Sequence, residues 1–278
     1  MEIVPRGNTL LLGGDKINVI NAIEFFTNLV ANFSHRPDKD SFDSFDLNYL
    51  IKNNKTLNWT PNDKVFTTNK GKPIYPRTKN QENYVQSLLD NLISLATGPA
   101  GTGKTFLSTA IACRMLQTGE VDRIVLTRPA VEAGESLGFL PGDLAQKVDP
   151  YLRPIYDALY ECLGFEKVQE LISGNRIEIA PIAFMRGRTL SHSFIILDEA
   201  QNCTIGQLKM LLTRIGKNSR MCLSGDITQI DLEREKSGFE KVVELLRNVE
   251  HIGIVHFDKS DITRNPLIEV IVNKFETI

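Results

Sequence analysis

From residue 77 onward, short apolar runs recur along the chain, at Leu92–Ala96, Arg123–Thr127, Arg176–Ile179, Phe194–Leu197, Met221–Leu223 and Gly253–Phe257. Between most of them the apolar positions repeat at helical spacing, over Phe106–Gln117, Tyr151–Leu163, Thr204–Ile215 and Phe239–Asn248. Strands alternating with helices predict an α/β fold. Right-handed βαβ crossovers would build a mostly parallel sheet with helices on both faces. A ligand in such a fold sits at the carboxyl ends of the strands.

Before residue 77 the pattern changes. Asp15 to Phe33 carries Ile17, Ile20, Ile23, Phe26, Leu29 and Val30 near helical spacing, with Asp15 placed to cap the start. Ser34 to Pro76 is polar, rich in Asp, Asn and Lys, with one short strand predicted around Lys64 to Thr67. The expected organisation is therefore an N-terminal extension or linker over 1–76 and an α/β domain over 77–278. No internal repeats occur.

Composition narrows the classes. At 278 residues and 42% hydrophobic, the chain can bury one sizeable core. Its net charge is −2 and its isoelectric point about 6.1, so nucleic acid could be held only by a local basic patch. Cys113, Cys162, Cys203 and Cys222 form no C-x-x-C pair and have no histidine at ligand spacing, which predicts buried free thiols in a reducing compartment. No run approaches the roughly 18 apolar residues of a membrane span. The expectation is a cytoplasmic protein without a membrane partner, in the host cytoplasm if phage-encoded.

The chemistry concentrates at Gly98-Pro99-Ala100-Gly101-Thr102-Gly103-Lys104-Thr105, between a predicted strand and a predicted helix. This is the P-loop arrangement. Glycines let backbone N–H groups curl around an anion, and the helix start adds its partial positive charge. The Lys104 ammonium can reach terminal phosphates, and the Thr105 hydroxyl can hold a magnesium ion. A nucleoside triphosphate is the expected ligand.

Phe194 to Leu197 ends in Asp198 and Glu199. Desolvating two adjacent acids is costly unless they face a cation, so with the P-loop they read as a Walker B pair. Asp198 would bind Mg2+ directly or through water, and Glu199 would polarise the attacking water. Downstream, the Gly225-Asp226 turn brings Gln229 near the triphosphate tail, to sense the γ-phosphate or orient water. Gln81 precedes the first strand and has an amide that can pair with an adenine edge, although a solvated helix start fits it equally. No Asn-Lys-x-Asp guanine signature occurs, which favours ATP over GTP.

Three long motifs carry a resemblance. Thr127 to Asp143 (TRPAVEAGESLGFLPGD), Phe184 to Leu190 running into Phe194 to Asn202, and Gly225 to Leu232 resemble, in order, signature stretches of the PhoH family. The likeness covers Arg77 to the C-terminus and leaves the first 76 residues unmatched. It implies a P-loop ATPase resembling one RecA-like domain of superfamily-one helicases, with Gln81 serving the adenine and Gln229 the γ-phosphate. It also implies that the strand carrying Gly225 lies between the P-loop and Walker B strands.

In such helicases a second domain supplies an arginine to the γ-phosphate. One domain alone implies a homo-oligomeric ring such as a hexamer, in which a neighbour's arginine completes the site. Arg264 is the first candidate, because the family tends to keep an arginine before a Pro-initiated terminal helix; Arg214 is the second. Arg128, Arg153, Arg186 and Arg188 are candidate contacts to single-stranded RNA or DNA, unless they pair with Glu132, Glu135, Asp143 or Asp149. His192 reads as a turn residue. The resulting expectation is Mg-dependent ATP hydrolysis coupled to single-stranded nucleic acid, RNA by resemblance. The alternative is an ATP-dependent assembly switch with slow hydrolysis. A small-molecule phosphotransferase suits the paired acids less well.

Overall fold

A computed structural model of the chain describes residues 1–34, 64–129, 144–231 and 237–263. The chain divides into two compact units, Met1–Asp63 with Asn265–Ile278, and Lys64–Arg264.

In the first unit, β1 (Glu2–Arg6) and β2 (Thr9–Gly13) form an antiparallel hairpin in which Glu2 pairs with Gly13 and Arg6 with Thr9. Gly7 turns it at φ 57°, a conformation that side chains with a Cβ disfavour. Helix α1 (Lys16–Ser34) follows, and the Ile17 N–H donates to Asp15 Oδ1 at 2.9 Å, the cap expected from the sequence.

The second unit opens with a two-residue pair, β3 (Phe66–Thr67) and β4 (Pro73–Ile74). It continues through α2 (Lys79–Asp90), β5 (Ile93–Thr97), α3 (Lys104–Thr118), β6 (Arg123–Arg128), α4 (Leu144–Leu163), α5 (Phe165–Ser173), β7 (Ile177–Pro181), β8 (Ser193–Leu197), α6 (Ile205–Leu212), β9 (Arg220–Gly225), α7 (Phe239–Leu245) and β10 (Ile252–His256). Six strands form one parallel sheet in the order β10-β5-β9-β8-β6-β7. The strand bearing Gly225 thus separates the P-loop strand from the strand ending in Asp198, the arrangement the resemblance implied. All six strands expected from the apolar runs are present.

The sheet is covered on both sides. All five residues of β8 are buried; Phe194 and Ile196 join a cluster with Tyr84, Ile111, Ile155 and Leu159 of α2, α3 and α4. Ile195 and Leu197 point the other way, to Leu208, Leu211, Phe239 and Val242 of α6 and α7. This two-sided burial is why the strands read as continuous apolar runs. The architecture is a RecA-like α/β fold.

Several elements depart from the sequence reading. Helix α5 follows Gly164, at φ 81°, and was not expected. Helices α6 and α7 end about a turn earlier than the apolar repeats suggest. Residues 64–76 are more than connection: Val65, Phe66 and Ile74 are 2%, 5% and 8% exposed and join the core beneath α2 to α5. Their apolar positions are too few and too irregular to show a period. Among the described residues, no helix is long and apolar enough to cross a membrane.

Candidate functional site

The turn from β5 into α3 is held by its own backbone. Gly98, Gly101 and Gly103 take φ values of 137°, 83° and 84°. A Cβ on Gly98 would overlap the Phe257 carbonyl of the neighbouring strand end, so strand packing and loop conformation both require glycine there. The Lys104 ammonium donates to the carbonyls of Gly98 at 2.8 Å and Pro99 at 2.7 Å, and the Thr102 hydroxyl closes on Pro99 O at 3.0 Å.

Three neighbours brace this loop. Asp226 Oδ2, at the end of β9, accepts the Ala100 N–H at 3.0 Å. The Thr263 N–H donates to Gly101 O at 2.9 Å. Gln81, on α2 and 3% exposed, donates from Nε2 to Thr102 O at 3.0 Å and accepts the Arg77 N–H on Oε1 at 2.6 Å. Both ends of the amide expected to read adenine are therefore engaged within the chain, and meeting a base edge would require exchanging them.

The acids lie beside the loop. Asp198, 5% exposed, accepts the Thr105 hydroxyl at 2.8 Å and the Ser224 hydroxyl at 3.0 Å on Oδ1. Its Oδ2 accepts Arg128 Nε at 3.1 Å and forms an ion pair with Nη2 at 3.0 Å. The same Nη2 reaches Glu199 Oε1 at 2.7 Å. Glu199 has a left-handed backbone, φ 55°, which turns its carboxylate off the strand direction and leaves its side chain 42% exposed. Thr105, Asp198 and Ser224 supply hard oxygen atoms, which suit Mg2+ held by a carboxylate and by substrate phosphates. Among the described residues, no cluster of three or more His, Cys, Asp or Glu forms a cage for a metal.

Loop and acids line one cleft of about 420 Å³, with Lys104, Thr105, Arg128, Glu199, Asp226 and Gln229 on its walls. The size suits a triphosphate tail, and the lining suits phosphate chemistry.

A family model described as PhoH-like protein matches residues 73–276. The chain belongs to the PhoH family. Over 279 residues it is 41% identical to the PhoH-like protein of Bacillus subtilis, covering 99% of this chain and 88% of that one. It is 50% identical to the PhoH-like protein of Synechocystis over 210 residues, 75% of this chain and 64% of that protein, just under two thirds of its length. Among solved structures, it is similar to the large terminase from a thermophilic bacteriophage, with 10% identity, coverage of 70% and 49%, and a TM-score of 0.46. Family and fold make the second unit a nucleotide-binding P-loop domain.

Within this PhoH domain, the residues named from sequence fall into three groups. Lys104, Thr105, Asp198, Glu199 and Gln229 converge on the cleft, as do Ala100, Gly101 and Gly103. Of the four arginines proposed for nucleic acid, Arg153 and Arg186 are exposed. Arg128 lies on the Walker acids. Arg188 forks onto Glu178 at 2.6 and 2.7 Å, which holds that carboxyl below its ordinary range. Glu132, Glu135 and Asp143 lie outside the described residues, as does the Asp149 side chain; among the described residues, Arg128 meets the acids at the end of β8 and Arg188 meets Glu178 on β7.

Arg264 also lies outside the described residues. Arg214 is tied to the Met210 and Arg188 carbonyls, each at 3.1 Å. His192 sits in a turn at φ 52° with an exposed ring.

Sequence reasoning gave no role to Gln201. It is 1% exposed; its Nε2 donates to Glu199 Oε2 at 2.6 Å and to Gln229 O at 3.0 Å, while its Oε1 accepts the Asp226 N–H at 3.0 Å. One amide thus ties the acid to the turn that carries Gln229. Its signal was a polar residue two positions beyond the acids where the chain has not yet surfaced. Asp157 and Glu161 of α4 also face the cleft, and their i, i+4 spacing on an amphipathic helix could have marked them.

Proposed function

We propose that this PhoH-family chain binds Mg-ATP and hydrolyses it, with turnover coupled to single-stranded nucleic acid, RNA before DNA. The observation that carries the reading is the 2.8 Å bond from the Thr105 hydroxyl to Asp198, which joins the first turn of α3 to the end of β8. That contact puts the P-loop and the acid pair on one cleft, where a nucleotide's phosphates would lie between them.

Gly98–Thr105 cradles the phosphates with backbone N–H groups, and Lys104 exchanges its loop carbonyls for phosphate oxygens. Thr105 and Asp198 would hold Mg2+, which neutralises charge on the β- and γ-phosphates when bound. Glu199 accepts a proton from water as the oxygen attacks the γ-phosphorus, and the bond to the ADP oxygen breaks to release phosphate. Gln201 fixes the Glu199 carboxylate, and Gln229 lines the cleft on the phosphate side. Arg153 and Arg186 give exposed positive charge for a nucleic-acid backbone. The trans cation would come from a neighbouring subunit in a ring, with Arg264 as its source. Residues 1–63 are assigned to assembly or partner contact.

The test is steady-state ATP hydrolysis with and without single-stranded RNA or DNA, across protein concentration, with Glu199→Gln as control. Turnover that climbs with nucleic acid and is lost in the variant is expected. Turnover indifferent to nucleic acid but steep in protein concentration would replace the motor by an assembly switch.

A further inference from the structure

Asp198 presents about four lone-pair positions, and both of its oxygens are engaged. Thr105 and Ser224 hydroxyls donate to Oδ1, and Arg128 Nε donates to Oδ2, with Arg128 Nη2 in ion-pair contact with the same oxygen. The hydroxyls are neutral and rotate freely, and Thr105 can itself become a ligand. Arg128 differs on each count. Its guanidinium is always charged, and its fork holds both carboxylates at once, at 3.0 Å from Asp198 and 2.7 Å from Glu199. It is itself 13% exposed, so these charged hydrogen bonds are largely shielded from water.

Two adjacent acids at the end of a buried strand require a positive charge nearby, because uncompensated burial is expensive. Arg128 provides that charge from β6, the next strand in the sheet. A divalent cation on Asp198 would claim the same oxygens and would bring a second set of positive charges against the guanidinium.

We propose that Arg128 is an internal counter-ion for Asp198 and Glu199 that a divalent cation must displace, so that Arg128 sets the metal affinity of the site. This rests on the reading of Asp198 as the metal-holding acid. Once displaced, the guanidinium remains on the wall of the cleft that Lys104 also lines, so its charge stays beside the triphosphate tail. Until then the acids are fixed and compensated, and the pair is held off from catalysis. Arg128 is a positioning residue in this scheme.

The test is Mn2+ binding to the full chain, read from the electron paramagnetic resonance of free Mn2+, with and without a non-hydrolysable ATP analogue. Wild type is compared with Arg128→Gln and Arg128→Lys, each checked by thermal melting. Removing charge-assisted bonds of this kind should tighten Mn2+ binding by roughly tenfold or more in Arg128→Gln. Arg128→Lys should fall between, because an ammonium cannot fork across both acids; it keeps the charge, so it decides the question if Arg128→Gln does not fold. Equal or weaker Mn2+ binding in folded variants, beside clear binding by wild type, overturns the proposal alone. Absence of Mn2+ binding in every protein, with the analogue present, overturns the assignment of Asp198 and the proposal with it.

Discussion

Glu199 and Gln201 lie two positions apart and differ in what the sequence discloses about them. An acid following Asp198 on an apolar strand declares itself by its desolvation cost. A buried amide does so only when its partners are known. If Glu199 takes the proton of the attacking water, Glu199→Gln should lower kcat by roughly 10² to 10⁴ while nucleotide affinity, read by a fluorescent analogue, changes little. Gln201→Ala should act differently. It leaves the Asp226 N–H without its 3.0 Å acceptor and frees the Glu199 carboxylate. The melting temperature and kcat should both fall, kcat by roughly tenfold, for an unsatisfied buried group of about 1–3 kcal/mol. An unchanged kcat would reduce Gln201 to a packing residue.

The central strands were legible because burial on both faces makes each a continuous apolar run. The apolar runs of β5, β6, β8 and β9 are buried on both faces and could be read directly. Helix α5 escaped because Gly164 separates it from α4 by a single residue, too short a gap to mark a second element. Between β7 and the turn that precedes β8, Glu178 and Arg188 form an element-level contact with its own pH signature. Arg188 lowers the Glu178 carboxyl from its ordinary value of 4.5, so the pair's stabilisation is present above that value and fades as pH falls through the lowered one. Both side chains are about a third exposed, at 31% and 32%, which limits the contribution to at most about 1 kcal/mol. Arg188→Ala should therefore melt slightly lower than wild type at pH 7, and the difference should close as the buffer is acidified through the lowered value of the Glu178 carboxyl.

At the scale of the whole molecule, the polar segment before Arg77 contains residues that the core uses. Val65, Phe66 and Ile74 are buried, at about 1.5–3 kcal/mol for each such side chain. A chain beginning at Lys64 should keep nucleotide binding and a cooperative melt. One beginning at Arg77 should lose most of its stability in thermal or urea unfolding. Equal stability of the two would place the domain start at Arg77. The proposed coupling to nucleic acid belongs to this scale too, because an acidic isoelectric point leaves only local charge to hold a phosphate backbone.

What the sequence determined by itself was the chemistry that is local in the chain. Eight consecutive residues make the P-loop because glycine conformations and a helix start are properties of neighbours, and two consecutive acids read as a Walker B pair for the same reason. Strand periodicity fixed the α/β class, since burial on two faces leaves its mark within each run. Tertiary structure alone decided which charges meet. That Arg128 closes on Asp198 and Glu199, that Gln81 braces Thr102, and that Gln201 bridges to Gln229 depend on how strands and helices are set side by side, with β9, β8 and β6 adjoining in the sheet. Pairing across a sheet depends on which strands adjoin, and no local pattern of residues encodes that.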